Sequence, residues 1–176
     1  MQIVAMDYTE RLSAAEVKVI AGRAHCDDAL RERLFDDLFN GEGRVARNAA
    51  WVLTHLHKND NRYIDAHRDA LVAKALSVDD DSLRRLTLAL LERLEWRRED
   101  IRTDLLDFCL SRLVDPDETY GVRALCIKLA SAQCRYYDEL RAELHQTLLI
   151  LDPATLNPGV KHTWGKALKA TSQSAS

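Results

Sequence analysis

Turn-forming residues are scarce: 176 residues hold six glycines and three prolines. That scarcity excludes the hairpin-rich β sandwiches and barrels, which need turn signals about every ten residues. Long hydrophobic runs are missing too. None approaches the roughly 20 apolar residues that span a bilayer, and the start, MQIVAMDYTERLS, lacks a cationic segment followed by a hydrophobic one. The expectation is a soluble, cytoplasmic protein without membrane contact. Charge of one sign is also lacking, since the 30% charged residues nearly balance to a net charge of −3. No overall field therefore draws in nucleic acid or an anionic surface, and such binding would need a local patch. The four cysteines (Cys26, Cys109, Cys126, Cys134) form no CxxC pair. Cys109 and Cys126 fall in apolar helical runs, so reduced thiols packing as small hydrophobes are expected, not disulfides.

What is present is a 47% hydrophobic share, enough for a core, with apolar residues recurring at three- and four-residue spacing from end to end. The fold class is all-α. Ser13-Ala-Ala-Glu16 has the form of a capping box and starts a helix at Ala14. That helix is expected to end near Arg23, and the next at Asn40-Gly41-Glu42-Gly43, where glycine can take the left-handed cap. Further helices are expected at 44–57, 61–77, 81–95, 99–114, 118–132, 136–151 and 158–171. Asp115-Pro116 and Asp152-Pro153 each stop the helix before them. Asn157-Pro158 opens the last one, as a cap followed by a first-turn proline.

The stretch VARNAAWVL (45–53) is echoed by LRRLTLALL (83–91) and again by VRALCIKLA (122–130). The same offset aligns Tyr63, Ile101 and Leu140 in the following helices, then His67, Leu105 and Leu144, then Leu71, Cys109 and Leu148. A recurring helix pair of this length is the mark of an α-solenoid, whose units bury their apolar faces only by stacking. The expected units are 13–40, 42–78, 80–115 and 117–152, with a capping helix at 157–171 that carries Lys161, Lys166 and Lys169 opposite an apolar stripe.

Val122-Arg123-x-x-Cys126, Leu83-Arg84-x-x-Thr87 and the weaker Val45-Ala46-x-x-Ala49-Ala50 resemble the HEAT repeat, or the HEAT-like armadillo type, with its valine-arginine pair and small residue three further on. Ala46 departs from that pattern, standing where the arginine is expected. The resemblance implies a right-handed α-solenoid of about four helix pairs plus the cap, with second helices lining a concave surface that binds macromolecules. It also makes Arg84 and Arg123 structural residues, which are expected to pair with loop carboxylates such as Asp80, Asp117 or Glu118.

No catalytic constellation is found: there is no HExxH, glycine-rich phosphate loop or nucleophile elbow. Metal and cofactor sites are not expected either. His55 and His57 point to different sides of a helix end, while His67 sits in the Leu105 column and reads as a hydrogen-bonded core histidine. HEAT-like hydroxylases use a His-Glu dipeptide that this chain lacks. HEAT-like DNA glycosylases need a cationic groove with an aromatic and a carboxylate. Trp51 and Trp96 are the aromatics to consider, but Trp51 aligns with Ala89 inside a packed helix, and Arg97-Arg98 alternates with Glu95, Glu99 and Asp100. The candidate binding residues are instead the mixed charges beside the core line of the second helices, Arg102 and Arg141 in one column and Asp104 and Glu143 in the next. The favoured reading is a non-catalytic scaffold for a protein partner. A glycosylase-type enzyme acting on nucleic acid is the alternative, and a purely structural subunit is a third.

Overall fold

The computed structural model describes residues 9–173, which form ten α-helices and no strand. They fall into two compact units, one ending at Arg93 and the other beginning at Leu94.

The first unit contains α1 (Ala14–Cys26), α2 (Asp28–Asn40), α3 (Gly43–Thr54), α4 (Asn61–Asp65), α5 (Arg68–Ser77) and α6 (Asp81–Glu92). α1, α3 and α6 lie side by side; α2 packs on α1 and α3, and α5 packs on α6. The expected capping box is present: the Ser13 hydroxyl accepts from the Glu16 amide at 3.2 Å, and the Glu16 carboxylate accepts from the Ser13 amide at 2.7 Å. Asp27 and Asp80 cap α2 and α6 in the simpler way, each accepting from the amide three residues on. Val17, Ile20, Leu34, Leu38, Leu53, Ile64, Leu71, Leu88 and Leu91 are fully buried. Each such side chain contributes about 2 kcal/mol of apolar transfer.

A helix pair is joined to the next by polar ties between residues about one repeat apart. Arg93 is the main one. Its guanidinium donates to the carbonyls of Leu53 and Thr54 at 3.0 Å and of Leu56 at 2.8 Å, and its Nε donates to the Asn61 side chain at 3.0 Å. The carbonyls at the end of α3 thus gain a donor beyond the turn, although that of Leu53 also accepts from the Leu56 amide. Asn61 returns the contact by donating to the Arg93 carbonyl at 3.0 Å. Burial lowers the Arg93 pKa, and the Asp60 charge opposes that shift.

Three expectations need correction here. The helix expected over 61–77 is interrupted: Ala66 and His67 close tight turns, and His67, at φ −106° and ψ 14°, starts a new helix. Asn61 is held by Arg93 at the near end, which fixes the short α4 against the end of α3 and leaves α5 to follow its own axis. Gly41 is not left-handed, having φ −71°. It must be glycine for another reason, since a Cβ there would collide with the Asp37 carbonyl oxygen. The left-handed residue is Gly43, at φ +53°. Third, α6 ends at Glu92 and α7 starts at Thr103, leaving a longer connection than expected, with one 3-10 turn at Arg98–Asp100.

The second unit contains α7 (Thr103–Val114), α8 (Tyr120–Cys134), α9 (Asp138–Leu149) and α10 (Pro158–Ser172). α7 packs on α8 and α9, while α10 covers α8 and α9. Thr119 caps α8 and Asn157 caps α10. The core is Leu105, Leu113, Val122, Ile127, Ala130, Leu144, Leu148 and Val160, with Trp96 buried beneath them. Trp164 on the last helix is half-buried and donates to the Leu148 carbonyl at 2.9 Å. Here the repeat-length ties are Arg135 donating to the Trp96 carbonyl at 3.1 Å and the Tyr137 hydroxyl donating to the Arg98 carbonyl at 2.9 Å.

Candidate functional site

Both arginines matched to the repeat pattern, Arg84 and Arg123, are buried. Their guanidinium groups donate to backbone carbonyls in the loops before their own helices, Arg84 to Val78 and Arg123 to Asp115. The carboxylate on Arg84 is Asp81, at 3.1 Å. Asp80 meets Arg47, and Glu118 lies 3.4 Å from Arg112. The expectation of structural arginines holds, with carbonyls and Asp81 in place of the loop carboxylates foreseen. Where the pattern carries Ala46, that methyl is buried and the neighbouring Arg47 makes the contact to the next helix start. Burial pushes the Asp80 carboxyl up, but the Leu83 amide and Arg47 outweigh it and hold the group below the ordinary value.

Arg102 and Asp104 lie at the start of α7, Arg141 in the first turn of α9 and Glu143 in the middle of that helix. Arg102 is the residue before α7, and its amide donates to the buried Gln133 side chain at 2.7 Å. Its guanidinium lies 2.7 Å from the Asp104 carboxylate, which holds that carboxyl below the usual range. Arg141 is paired with Asp138, one turn earlier on α9. Glu143 is exposed, and its charge, after burial, helps to push the Cys134 thiol up to about 12. These charges are ordered by near neighbours in sequence, so the surface is preset but its arginines are already engaged.

The histidines and cysteines offer no reaction centre. Among the described residues no group of three His, Cys, Asp or Glu side chains could hold a metal. His67 is half-buried on the Phe35 ring, with centroids 4.1 Å apart, and burial lowers its pKa. Its ring makes no hydrogen bond among the described residues, contrary to expectation. Asp60 is buried and pairs with His25, at 2.9 Å. The thiols are free; Cys109, Cys126 and Cys134 are buried and Cys26 is exposed.

One concavity in the first unit was not foreseen. A cleft of about 870 Å³ opens where the start of α1 meets α3 and α6, lined by Arg11, Arg44, Arg47, Arg85, Asn48 and Trp51 among others. Trp51 was expected inside a packed helix, yet it is half-buried and borders this cleft. Asn48 is buried and donates to the Glu10 carbonyl at 2.9 Å, which fixes the incoming chain over α3. Arg11 and Arg85 are exposed and make no ion pair among the described residues. Arg44 reaches only the Thr9 carbonyl, at 3.4 Å. The one carboxylate lining the cleft among the described residues, Glu16, is turned into the capping box. There the Ser13 amide and hydroxyl hold it below the ordinary value.

A family model for the HEAT repeat domain matches residues 5–171. The chain belongs to the HEAT repeat family. This HEAT protein is accordingly a helical-repeat chain of the α-solenoid class, the architecture that its echoing helix pairs imply. No curated protein matches it, and no solved structure does. Among its described residues, no helix is long and apolar enough to cross a membrane.

Proposed function

We propose that the chain is a non-catalytic, cytoplasmic scaffold that binds a protein partner on the surface of its second helices, with Arg102, Asp104, Arg141 and Glu143 among the contact residues. The observation that carries this reading is their prior ordering. Arg102 is held by Asp104 and Gln133, and Arg141 by Asp138, on two helices packed against each other. A partner meets side chains whose rotamers are already restricted, so less ordering free energy is lost on association. Charges of both signs favour a protein surface over a polyanion.

The test places a photoreactive benzoyl-phenylalanine at position 143 and, in a second variant, at position 166 on α10, then irradiates the native cells. The reading expects one recurrent protein adduct from position 143 that disappears on Arg141→Glu, and none in common from position 166. Equal labelling from both positions, or adducts indifferent to Arg141→Glu, would overturn it.

Base excision, the alternative, needs a carboxylate free to act beside an aromatic in a cationic pocket. The cleft has Trp51 and the arginines, but Glu16 is committed to the α1 start. The chemistry therefore favours binding over excision.

A further inference from the structure

We infer that the cleft between α1, α3 and α6 is a docking site for a short acidic segment of a partner protein, in which carboxylates lie on Arg11, Arg44 and Arg85 and a flat side chain lies on Trp51. The inference concerns the first helices of the first unit, and it stands or falls independently of the second-helix surface.

Three observations carry it. The first is charge: among the described residues four arginines line the cleft against a single glutamate, in a chain whose net charge is −3. A local excess of cations in a mildly acidic protein marks a site, not a general field. The second is availability. Of the four, only Arg47 is spoken for by a carboxylate, Asp80; Arg11 and Arg85 carry no ion pair among the described residues, and Arg44 has one long contact to a carbonyl. Guanidinium forks that are neither paired nor buried are suited to bidentate capture of carboxylates. The third is the company they keep: the half-buried Trp51 lines the cleft with them, and arginine clusters of this kind recognise acidic linear segments.

Carboxylates beside Arg47 and Arg44 favour a peptide over a nucleic acid. Asp80, on Arg47, is flanked in the chain by Asp79 and Asp81, and Glu42 directly precedes the α3 start that carries Arg44. Carboxylates so near the cleft in the chain oppose a long phosphate backbone, whose charge extends beyond the cleft. A short segment whose negative charge is confined to the cleft is not opposed in this way, and about 870 Å³ suits a ligand of limited size.

The experiment uses the full chain and a short fluorescein-labelled peptide of alternating glutamate and tyrosine, followed by fluorescence anisotropy at low salt. Binding is expected. Arg85→Glu and Arg11→Glu should each weaken it at least about tenfold, since each reverses a charge that meets a carboxylate directly. Trp51→Ala should weaken it several-fold, while Trp51→Phe should not. Both arginines are exposed and make no ion pair among the described residues, so circular dichroism melts of their variants should overlay the parent. No binding, or binding indifferent to the arginine reversals, would overturn the inference. So would tighter, arginine-dependent binding of a thymidine oligonucleotide of equal charge, which would make the cleft a nucleic-acid site.

Discussion

The two units tie their repeats together with the same kind of bond but to different degrees. In the first, the Arg93 guanidinium reaches four carbonyls, those of Leu53, Thr54, Leu56 and His57, and the Asn61 side chain, and it is partly withdrawn from water. In the second, exposed Arg135 reaches one carbonyl, with Tyr137 supplying another bond to the same connection. The contrast shows that stacking of near-identical helix pairs leaves open carbonyls at each junction, and that the number a cation satisfies is a local matter. The cost of removing the tie should scale accordingly.

The largest effect is expected from Arg93→Met, which keeps the aliphatic stem and removes that donor from the carbonyls at the end of α3. Thermal melts by circular dichroism should show a loss of about 3 kcal/mol, against about 1 kcal/mol for Arg135→Met. Equal losses would break the comparison. Next comes Asp80→Ala, which removes both the α6 cap and the partner of Arg47, for about 1 to 2 kcal/mol near neutral pH. Because the folded Asp80 carboxyl lies below its ordinary value of 3.8, its stabilisation is present above that pH and is lost as pH falls through the folded value. The gap between parent and variant should therefore close in acid. The smallest effect concerns His67, whose folded pKa is below 6.5, so the unfolded chain takes up the proton first. Stability should decline on acidification below about pH 6.5. His67→Leu, which matches the leucines of its column, should flatten the difference between pH 7.5 and 5.5, read from paired urea melts. An unchanged slope would show that the half-buried ring is solvated as well as a free one.

The fold was legible because its signals are local or periodic. Ser13-x-x-Glu16 announces a helix start, and the echo of 45–53 at 83–91 and 122–130 announces stacking. Leu105, Leu144, Leu71, Cys109 and Leu148, aligned by that echo, are all buried. His67 in the same column is only half-buried, because the chain turns there to begin α5 and its ring rests on Phe35. The break between α4 and α5 was not legible, since no glycine or proline marks Ala66 and His67. Nor was the cleft: Arg11, Arg44 and Arg85 are scattered along the chain, and only the packing of α1, α3 and α6 gathers them around Trp51. The mixed charges at 102, 104, 141 and 143 were visible as a repeating pattern. That the arginines would be held by Asp104 and Asp138 within a turn of themselves depends on rotamers, which spacing does not specify.

The acceptors gathered by Arg93, Arg84, Arg123 and Arg135 are mostly main-chain carbonyls, and every amino acid carries one. A junction fastened in this way makes little demand on the identity of the residues it grips: substitutions at 53, 54, 56, 78, 96 or 115 leave the oxygen in place. Such a chain is free to change most of its letters while keeping its joints, and relatives that share its architecture need share little of its spelling.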